Sequence, residues 1–176
     1  MCEFHDAGYA IRNDIEVMKT LYEYIEGSTD ALYCVGFNIP LRFEIPRNVK
    51  INNDNSKSKN EYFRFKHPVY FAHAIFHKGV KFENTIFDDL ASFYDAHFKE
   101  QVELLSTNFR QGVDFSRARF YEDVHLRGTP KSLKSEEQDE IPEKRTTFEG
   151  YTNFYLAKFE KDAYFSGVEF PNWCLM

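Results

Sequence analysis

The chain has few cysteines, no long apolar run and no excess of positive charge, and each absence excludes a class of protein. Its 176 residues include three widely separated cysteines, Cys2, Cys34 and Cys174. This spacing fits neither a disulfide framework nor a zinc motif, so we expect a reducing, cytoplasmic location. No apolar run approaches the roughly 18 residues of a membrane-spanning helix. Residues 1–13 also lack the basic and then apolar pattern of a signal peptide.

Catalytic and nucleic-acid-binding signatures are missing as well. A net charge of -6 argues against a nucleic-acid-binding surface. We find no nucleophile elbow, phosphate loop or dinucleotide fingerprint. The six histidines are dispersed, and the four-residue spacing of His73 and His77 puts them on different sides of Phe76 if this stretch is a strand. We therefore expect no enzyme and no catalytic, cofactor-binding or metal-binding residues.

What the chain does contain is a periodic series of large apolar residues. Aromatic residues make up 18% of the sequence, with 19 phenylalanines and 11 tyrosines. From residue 71 onward the spacing of the large residues alternates between five and six, which gives an 11-residue period. A helix with an 11-residue repeat is the rival explanation. It is disfavoured because two phenylalanines in eleven residues make too narrow a stripe, and because glycines recur within the pattern. The series before the break at residues 127–147 is Phe71, Phe76, Phe82, Phe87, Phe93, Phe98, Leu104, Phe109, Phe115, Phe120 and Leu126.

A smaller residue lies two positions before each large one, as strand alternation requires. The smaller residue is more often the same type when positions 22 residues apart are compared than when positions 11 residues apart are compared. This predicts a 22-residue turn with four faces. Stacked turns would then lie about 4.8 Å apart, the distance between paired strands. One such column consists of Ala74, Ala96, Ala118 and Ala157.

These triplets, such as Ala74-Ile75-Phe76 and Ala96-His97-Phe98, resemble the motif of the pentapeptide-repeat family. The resemblance covers about residues 63–170 and falls in the Phe-centred branch of the family. It implies an all-β solenoid, a right-handed quadrilateral β-helix of about four to five turns. The sixth residue at every second repeat departs from the motif, and we interpret it as a three-residue corner.

Residues 1–62 are predicted to form an N-terminal capping region, and residues 63–176 the β-helix itself. A helix is expected at about 13–26 from apolar residues at spacings of three and four, which include Ile11 and Ile15. Asn13 with Glu16 is a candidate capping box, and Gly27 is a candidate stop. We expect the helix to cover the first turn, because the end of a solenoid exposes unpaired strand edges. A helix that binds a partner is the alternative.

A partial first turn is predicted at 35–43, with Phe37 and Phe43 as the centres of two faces. A polar loop at 46–62 follows, and a second loop is inserted at 127–145. Both loops are predicted to leave the corner between the third and fourth faces, each with a 17-residue excess. Long loops on a rigid scaffold often carry function, and they are also where insertions are tolerated.

The candidate site residues follow from these features. Tyr70, Tyr94 and Tyr155 flank centres of the first face and could form one exposed aromatic strip. Residues 171–176 are apolar and form either a cap or an edge that pairs with another subunit. The candidate partner-binding residues are Glu136, Glu137, Asp139, Glu140, Lys144, Arg145, Tyr94 and Tyr155, and the candidate dimer edge is Phe170, Trp173 and Leu175.

The expected function is that of a non-enzymatic protein–protein interaction module with an unidentified protein partner, able to form a homodimer through its C-terminal end. The resemblance also implies an alternative, a DNA-mimicking protein that binds or protects a type II topoisomerase such as gyrase, or another DNA-binding enzyme. The repeat region carries only a few net negative charges, well short of the one charge per ~1.7 Å of duplex DNA. We expect no direct binding to nucleic acid or to membranes.

Overall fold

The computed structural model describes residues 4–45, 62–128 and 145–170. Within these ranges, two helices precede twenty short strands that form four parallel sheets of five strands each. Consecutive strands along the chain belong to consecutive sheets, so the backbone passes through all four faces in each turn. The predicted β-helix with four faces is confirmed, whereas its right-handed sense stays a prediction.

Each face is one sheet whose strands come from the five successive turns. The first face contains β1 Leu32–Tyr33, β5 Val69–Tyr70, β9 Ala91–Ser92, β13 Gly112–Asp114 and β17 Tyr151–Asn153. The second face contains β2 Asn38–Ile39, β6 Ile75–Phe76, β10 His97–Phe98, β14 Arg119–Phe120 and β18 Lys158–Phe159. The third face contains β3 Phe43–Glu44, β7 Val80–Glu83, β11 Val102–Leu105, β15 Val124–Arg127 and β19 Ala163–Ser166. The fourth face contains β4 Phe63–Phe65, β8 Thr85–Phe87, β12 Asn108–Phe109, β16 Thr146–Phe148 and β20 Val168–Glu169.

The register between turns confirms the predicted length of one turn. Phe98 pairs with Phe76 in the preceding turn and with Phe120 in the following turn. Their rings stack at centroid distances of 4.9 and 4.8 Å. The first face repeats this arrangement, because Phe93 stacks on Phe71 at 5.6 Å and on Phe115 at 5.0 Å. Like therefore stacks on like, and columns of parallel rings fill the inside of the coil.

Two corners of each turn require an unusual backbone conformation. The first-to-second and third-to-fourth corners span only two residues, and one of these often has a positive φ, as at Asp95 (51°) and Ser106 (53°). Only glycine enters this region without steric cost, and Gly36 in the first turn is one such residue, with φ 68°. The three-residue corners at the six-residue spacings avoid this conformation in most turns, which explains the alternation of five and six.

The first turn is complete, and its register corrects the predicted partial turn. Phe37 and Phe43 occupy the small-residue columns, because Ile39 pairs with the centre Phe76 and Phe43 pairs with Val80, two residues before the centre Phe82. The centres of these faces are Ile39 and Ile45, and Cys34 is the centre of the first face.

Large residues fit the small columns of the first turn because no turn precedes it. Phe37 stacks on Phe4 at 4.3 Å, and Phe43 lies 6.0 Å from the ring of Tyr22 in the cap. Burial also raises the pKa of the Cys34 thiol, so this buried side chain is an inert member of the core.

The N-terminal cap contains two helices, α1 Ala7–Arg12 and α2 Asp14–Gly27, where we predicted one. The predicted capping box is wrong, because the Asn13 side chain donates from Nδ2 to the Tyr9 carbonyl at 3.0 Å and makes no cap bond to α2. Gly27 lies within α2 as its last residue.

The apolar side of α2 packs on the first turn through residues that include Met18 and Leu21, both buried. Ile11 and Ile15 are 55% and 76% exposed, so their predicted place on the apolar stripe is wrong. The chain turns at Asn13, and this break separates Ile11 from the stripe of α2.

Both insertions leave the third-to-fourth corner, as predicted. The residues on either side of the second insertion, Leu126 and Phe148, keep the register of Leu104 and Phe109 one turn earlier. The second insertion therefore has the predicted excess length. The first insertion follows Ile45 rather than Phe43, so its excess is two residues shorter than predicted.

Candidate interaction surface

Most of the predicted loop candidates lie outside the described residues. These are Glu136, Glu137, Asp139, Glu140 and Lys144.

Arg145 is described and lies immediately before β16. Its Nη1 donates to the Glu169 carboxylate at 2.6 Å. Both side chains are about half exposed, so this pair ties the end of the second insertion to the last turn while remaining open to solvent.

The predicted tyrosine strip divides into two columns. Tyr70 precedes its face centre and stacks on Tyr33 at 5.1 Å, whereas Tyr94 and Tyr155 follow theirs. The position before a centre and the position after it are two residues apart, so Tyr70 lies in a different column from the other two tyrosines. Tyr94 and Tyr155 share a column and are two turns apart, with Ser116 between them.

Arg117 connects Tyr94 and Tyr155, and the sequence did not single it out. It occupies the first-to-second corner with φ 60°, and its Nη1 donates to the Tyr94 hydroxyl at 3.2 Å. The hydrogen bond to Tyr94, followed by the charge of Asp95 and the neighbouring Tyr155, raises the pKa of the Arg117 guanidinium. Arg117 lies beside Tyr94 and Tyr155 only because successive turns pair in this register, so the register was needed to identify it as a site residue. We call Tyr94, Arg117 and Tyr155 the corner cluster.

The corner cluster continues into an exposed histidine–carboxylate pair. His73 Nδ1 lies 3.1 Å from Asp95 Oδ2, and the His73 ring meets Tyr94 edge-on at 5.4 Å. An aromatic, cationic and carboxylate set on one rigid corner suits recognition of another protein, because tyrosine and arginine are enriched in interfaces.

The histidines do not assemble a metal site within residues 4–45, 62–128 and 145–170. His77 Nε2 lies 3.2 Å from the side-chain oxygen of Asn38, away from the His73–Asp95 pair. No group of three or more histidine, cysteine or carboxylate side chains in these ranges could hold a metal ion.

Acidic side chains on the third and fourth faces are neutralised by arginines from other turns. Asp88 binds Arg64 at 2.8 Å and Arg110 at 2.9 Å. Glu103 binds Arg42 at 2.8 Å and lies 3.5 Å from Arg127. These ladders reduce the negative field of both faces.

A cleft of about 270 Å³ lies between the end of α2 and β4. Its walls carry bases such as Arg64 and Lys66 together with the acids Glu26 and Asp30. Arg64 is already bound to Asp88 on the fourth face. The mixed charge gives the cleft no preference for a ligand of one sign, so we interpret it as the junction between cap and coil.

The last turn is the most exposed part of the coil. Phe170 stacks on Phe148 at 5.0 Å, whereas Phe165 is 42% exposed. Among the described residues, β17–β20 are the edge strands of their sheets at the end away from the helical cap. The other dimer-edge candidates, Trp173 and Leu175, lie outside the described residues.

The part of the chain that the structure describes contains no helix long and apolar enough to cross a membrane.

Comparison with known families gives one match. Residues 61–104 match a family model described as pentapeptide repeats in nine copies. No curated protein and no solved structure matches the chain.

Proposed function

Because this chain belongs to the pentapeptide-repeat family, whose stacked turns form a rigid scaffold, we propose that it is a non-enzymatic module that binds another protein. The observation that carries the proposal is the corner cluster. Three side chains with the chemistry of interface hot spots project from one corner of a ring-stacked coil. A rigid framework holds such groups in place before binding, so less conformational entropy is lost on association.

Tyr155 is 59% exposed, Arg117 is also exposed, and Tyr94 is partly buried. An exposed tyrosine gives a partner a large amphipathic surface with few rotatable bonds. Burial of this ring against a partner would place it in the centre of a contact, where truncation costs most.

The experiment that tests the proposal is affinity capture from the source cell with wild-type protein and with Tyr155→Ser. Tyr164→Ser is the matched control, because Tyr164 lies on the third face of the same turn and is 46% exposed. We expect a captured protein that Tyr155→Ser loses and Tyr164→Ser retains. A capture profile that is identical for all three proteins contradicts the role of the corner.

The second insertion supplies a further candidate contact. Deletion of 129–145 removes all the loop candidates together with Arg145. A binding role predicts that the deletion variant loses a partner that wild-type protein captures. If the partner set is unchanged, the insertion is a tolerated loop.

We infer that a second copy of the chain is a further partner, through the last turn. Phe165 is exposed there, and strand edges at the end of a solenoid favour pairing with another chain. Light scattering coupled to gel filtration tests this inference. A dimer that Phe165→Lys converts to a monomer supports it, and a wild-type monomer at high concentration contradicts it.

The alternative, a DNA-mimicking protein that acts on a type II topoisomerase such as gyrase, has less support. Duplex DNA presents a continuous run of negative charge, whereas Asp88 and Glu103 are each paired with two arginines. A supercoiling assay with purified gyrase tests the alternative. Inhibition at stoichiometric concentration favours mimicry.

A further inference from the structure

The outward side of the second face carries more basic than acidic side chains, in a protein whose net charge is -6. We call this surface the cationic strip, and it consists of His97, Lys99, Arg119, Tyr121 and Lys158. Arg119 and Lys158 are exposed, and the other three are partly exposed. The strip is therefore open to solvent along its length.

Strand pairing sets the spacing of the strip. His97, Arg119 and Lys158 are successive partners in β10, β14 and β18, so their backbones repeat at about 4.8 Å. Lys99 lies in the adjacent column, between His77 and Tyr121, and its Nζ lies 3.8 Å from the centroid of the Tyr121 ring. The strip thus spans three turns, or about 10 Å at strand spacing.

The bases of the strip differ from most of those elsewhere on the described coil in their lack of ion pairs. Among the described residues, Lys99, Arg119 and Lys158 form no salt bridge within 4.0 Å, whereas Lys78 pairs with Glu100 at 2.9 Å and Lys161 pairs with Glu122. Neighbouring carboxylates are thus already committed to other lysines.

Glu160 and Asp95 are the other acids beside the strip. Glu160 follows Tyr121 in the column of Lys99, and Asp95 acts on His97 only through its charge. Asp95 is held by His73 at 3.1 Å. The positive charges of Lys99, Arg119 and Lys158 exceed the negative charges of these two carboxylates, so the strip keeps an excess of positive charge.

The titratable groups of the strip respond to this excess. Hydrogen bonding from Lys99, together with the nearby Arg119, lowers the pKa of Tyr121. The pKa of His97 is lowered first by burial and then by Lys99. The lowered pKa of Tyr121 corresponds to a positive local potential, which favours a bound anion, whereas the shift at His97 comes first from burial.

We propose that the cationic strip binds an acidic segment of a partner protein, whose carboxylates accept hydrogen bonds from Lys99, Arg119 and Lys158. This inference rests on the proposed function and specifies the chemistry of one partner surface. Charge complementarity selects the occupant. Tyr121 lies between the three bases and can pack against the peptide backbone.

The length of the strip favours a peptide over a long polyanion. A nucleic acid or an anionic bilayer would extend beyond three turns and would meet the surface of a protein whose net charge is -6. Repulsion there opposes binding. An acidic peptide of a few residues fits the strip alone.

Fluorescence anisotropy with a labelled hexaglutamate peptide tests the proposal at low and moderate ionic strength. We expect saturable binding that weakens as salt is added. Arg119→Gln with Lys158→Gln should weaken binding at least tenfold. The matched control is Arg12→Gln with Lys19→Gln in the helical cap, which changes the net charge equally and should leave the affinity within twofold. Circular dichroism verifies that every variant is folded.

Four results would overturn the proposal. The first three are a lack of saturable binding, an equal loss of affinity in the cap control, and hexathymidylate binding as tightly as the peptide. Complete competition by millimolar inorganic phosphate would also overturn it, because the strip would then be a small-anion site. The Tyr155→Ser capture experiment remains independent, so a failed peptide measurement does not count against the proposed interaction module.

Discussion

Replacement of Phe98 by alanine tests the ring columns directly. Phe98 is 1% exposed, and its ring lies parallel to Phe76 and Phe120 within 6°. Phe→Ala in a core costs about 3–5 kcal/mol, from the lost transfer energy and the cavity left behind. We expect the upper part of this range, about 4–5 kcal/mol, because paired strands on both sides limit collapse of the cavity.

Two further variants calibrate the loss. Phe98→Leu keeps an apolar side chain in a coil that already accepts Leu104 and Leu126 as centres. It should cost only about 1–2 kcal/mol, for the lost volume and ring stacking. Phe165→Ala in the last turn should cost a similar amount, about 1–2 kcal/mol, because Phe165 is 42% exposed.

Urea denaturation followed by far-ultraviolet circular dichroism gives the free energy of unfolding of each variant. A domain of this size has about 5–15 kcal/mol of total stability, so Phe98→Ala removes a large share of it. A loss below about 1 kcal/mol would refute the stacked-column model. A loss no larger than that of Phe165→Ala would mean that central and terminal turns carry equal packing energy, which the burial pattern contradicts.

Four other predictions follow from particular contacts. Leu156→Gly should stabilise the protein by about 1 kcal/mol, since Leu156 has φ 59° and is exposed, whereas Gly36→Ala at the equivalent corner should destabilise it by about as much in thermal denaturation. Asp88→Asn should cost about 1 kcal/mol, because Asp88 bridges Arg64 and Arg110, and Glu23→Gln in an exposed helical pair should cost about 0.3 kcal/mol in the same urea assay. Stability should decrease as the pH falls below about 6.5, because the pKa values of His77 and His97 are lowered in the fold, so these histidines bind protons more readily in the unfolded chain. In the double variant His77→Asn with His97→Asn, the midpoint of unfolding should change less between about pH 7.5 and 5.5 than in the wild-type protein. Deletion of 129–145 should change the free energy of unfolding by less than about 1 kcal/mol, because Gly128 then occupies the corner position equivalent to Ser106, whose φ of 53° suits glycine. Loss of the folded circular dichroism spectrum in the deletion variant would show that the segment is structural.

The sequence predicted the coil from the second turn onward because each structural position is repeated several times. Ala74, Ala96 and Ala118 are fully buried in the predicted column. The first turn was misread because its environment differs, since Phe37 packs on Phe4 and Phe43 packs on Tyr22. A repeat pattern carries no information about a cap that occurs once.

The binding surfaces were harder to predict than the fold. Tyr94 and Tyr155 were identified individually, but their link through Arg117 depends on a corner conformation that the apolar period does not encode. The cationic strip was missed for a related reason. Its bases belong to three different turns, and they become neighbours only through the register of β10, β14 and β18.

The shared corner of both insertions has a consequence for how the chain closes into turns. Asn108 pairs with Ile86 one ordinary turn before it, and with Thr147 across the second insertion, a little under twice as far along the chain. The entropy of loop closure grows only with the logarithm of length, so the longer connection costs about 0.5 kcal/mol more. Strand pairs that span neither insertion still close over the ordinary length, as Phe63 with Thr85 and Thr146 with Val168 do. A stacked coil can therefore lengthen one corner substantially at a cost smaller than that of a single poorly packed side chain, and its outer surface can change without a change in its core.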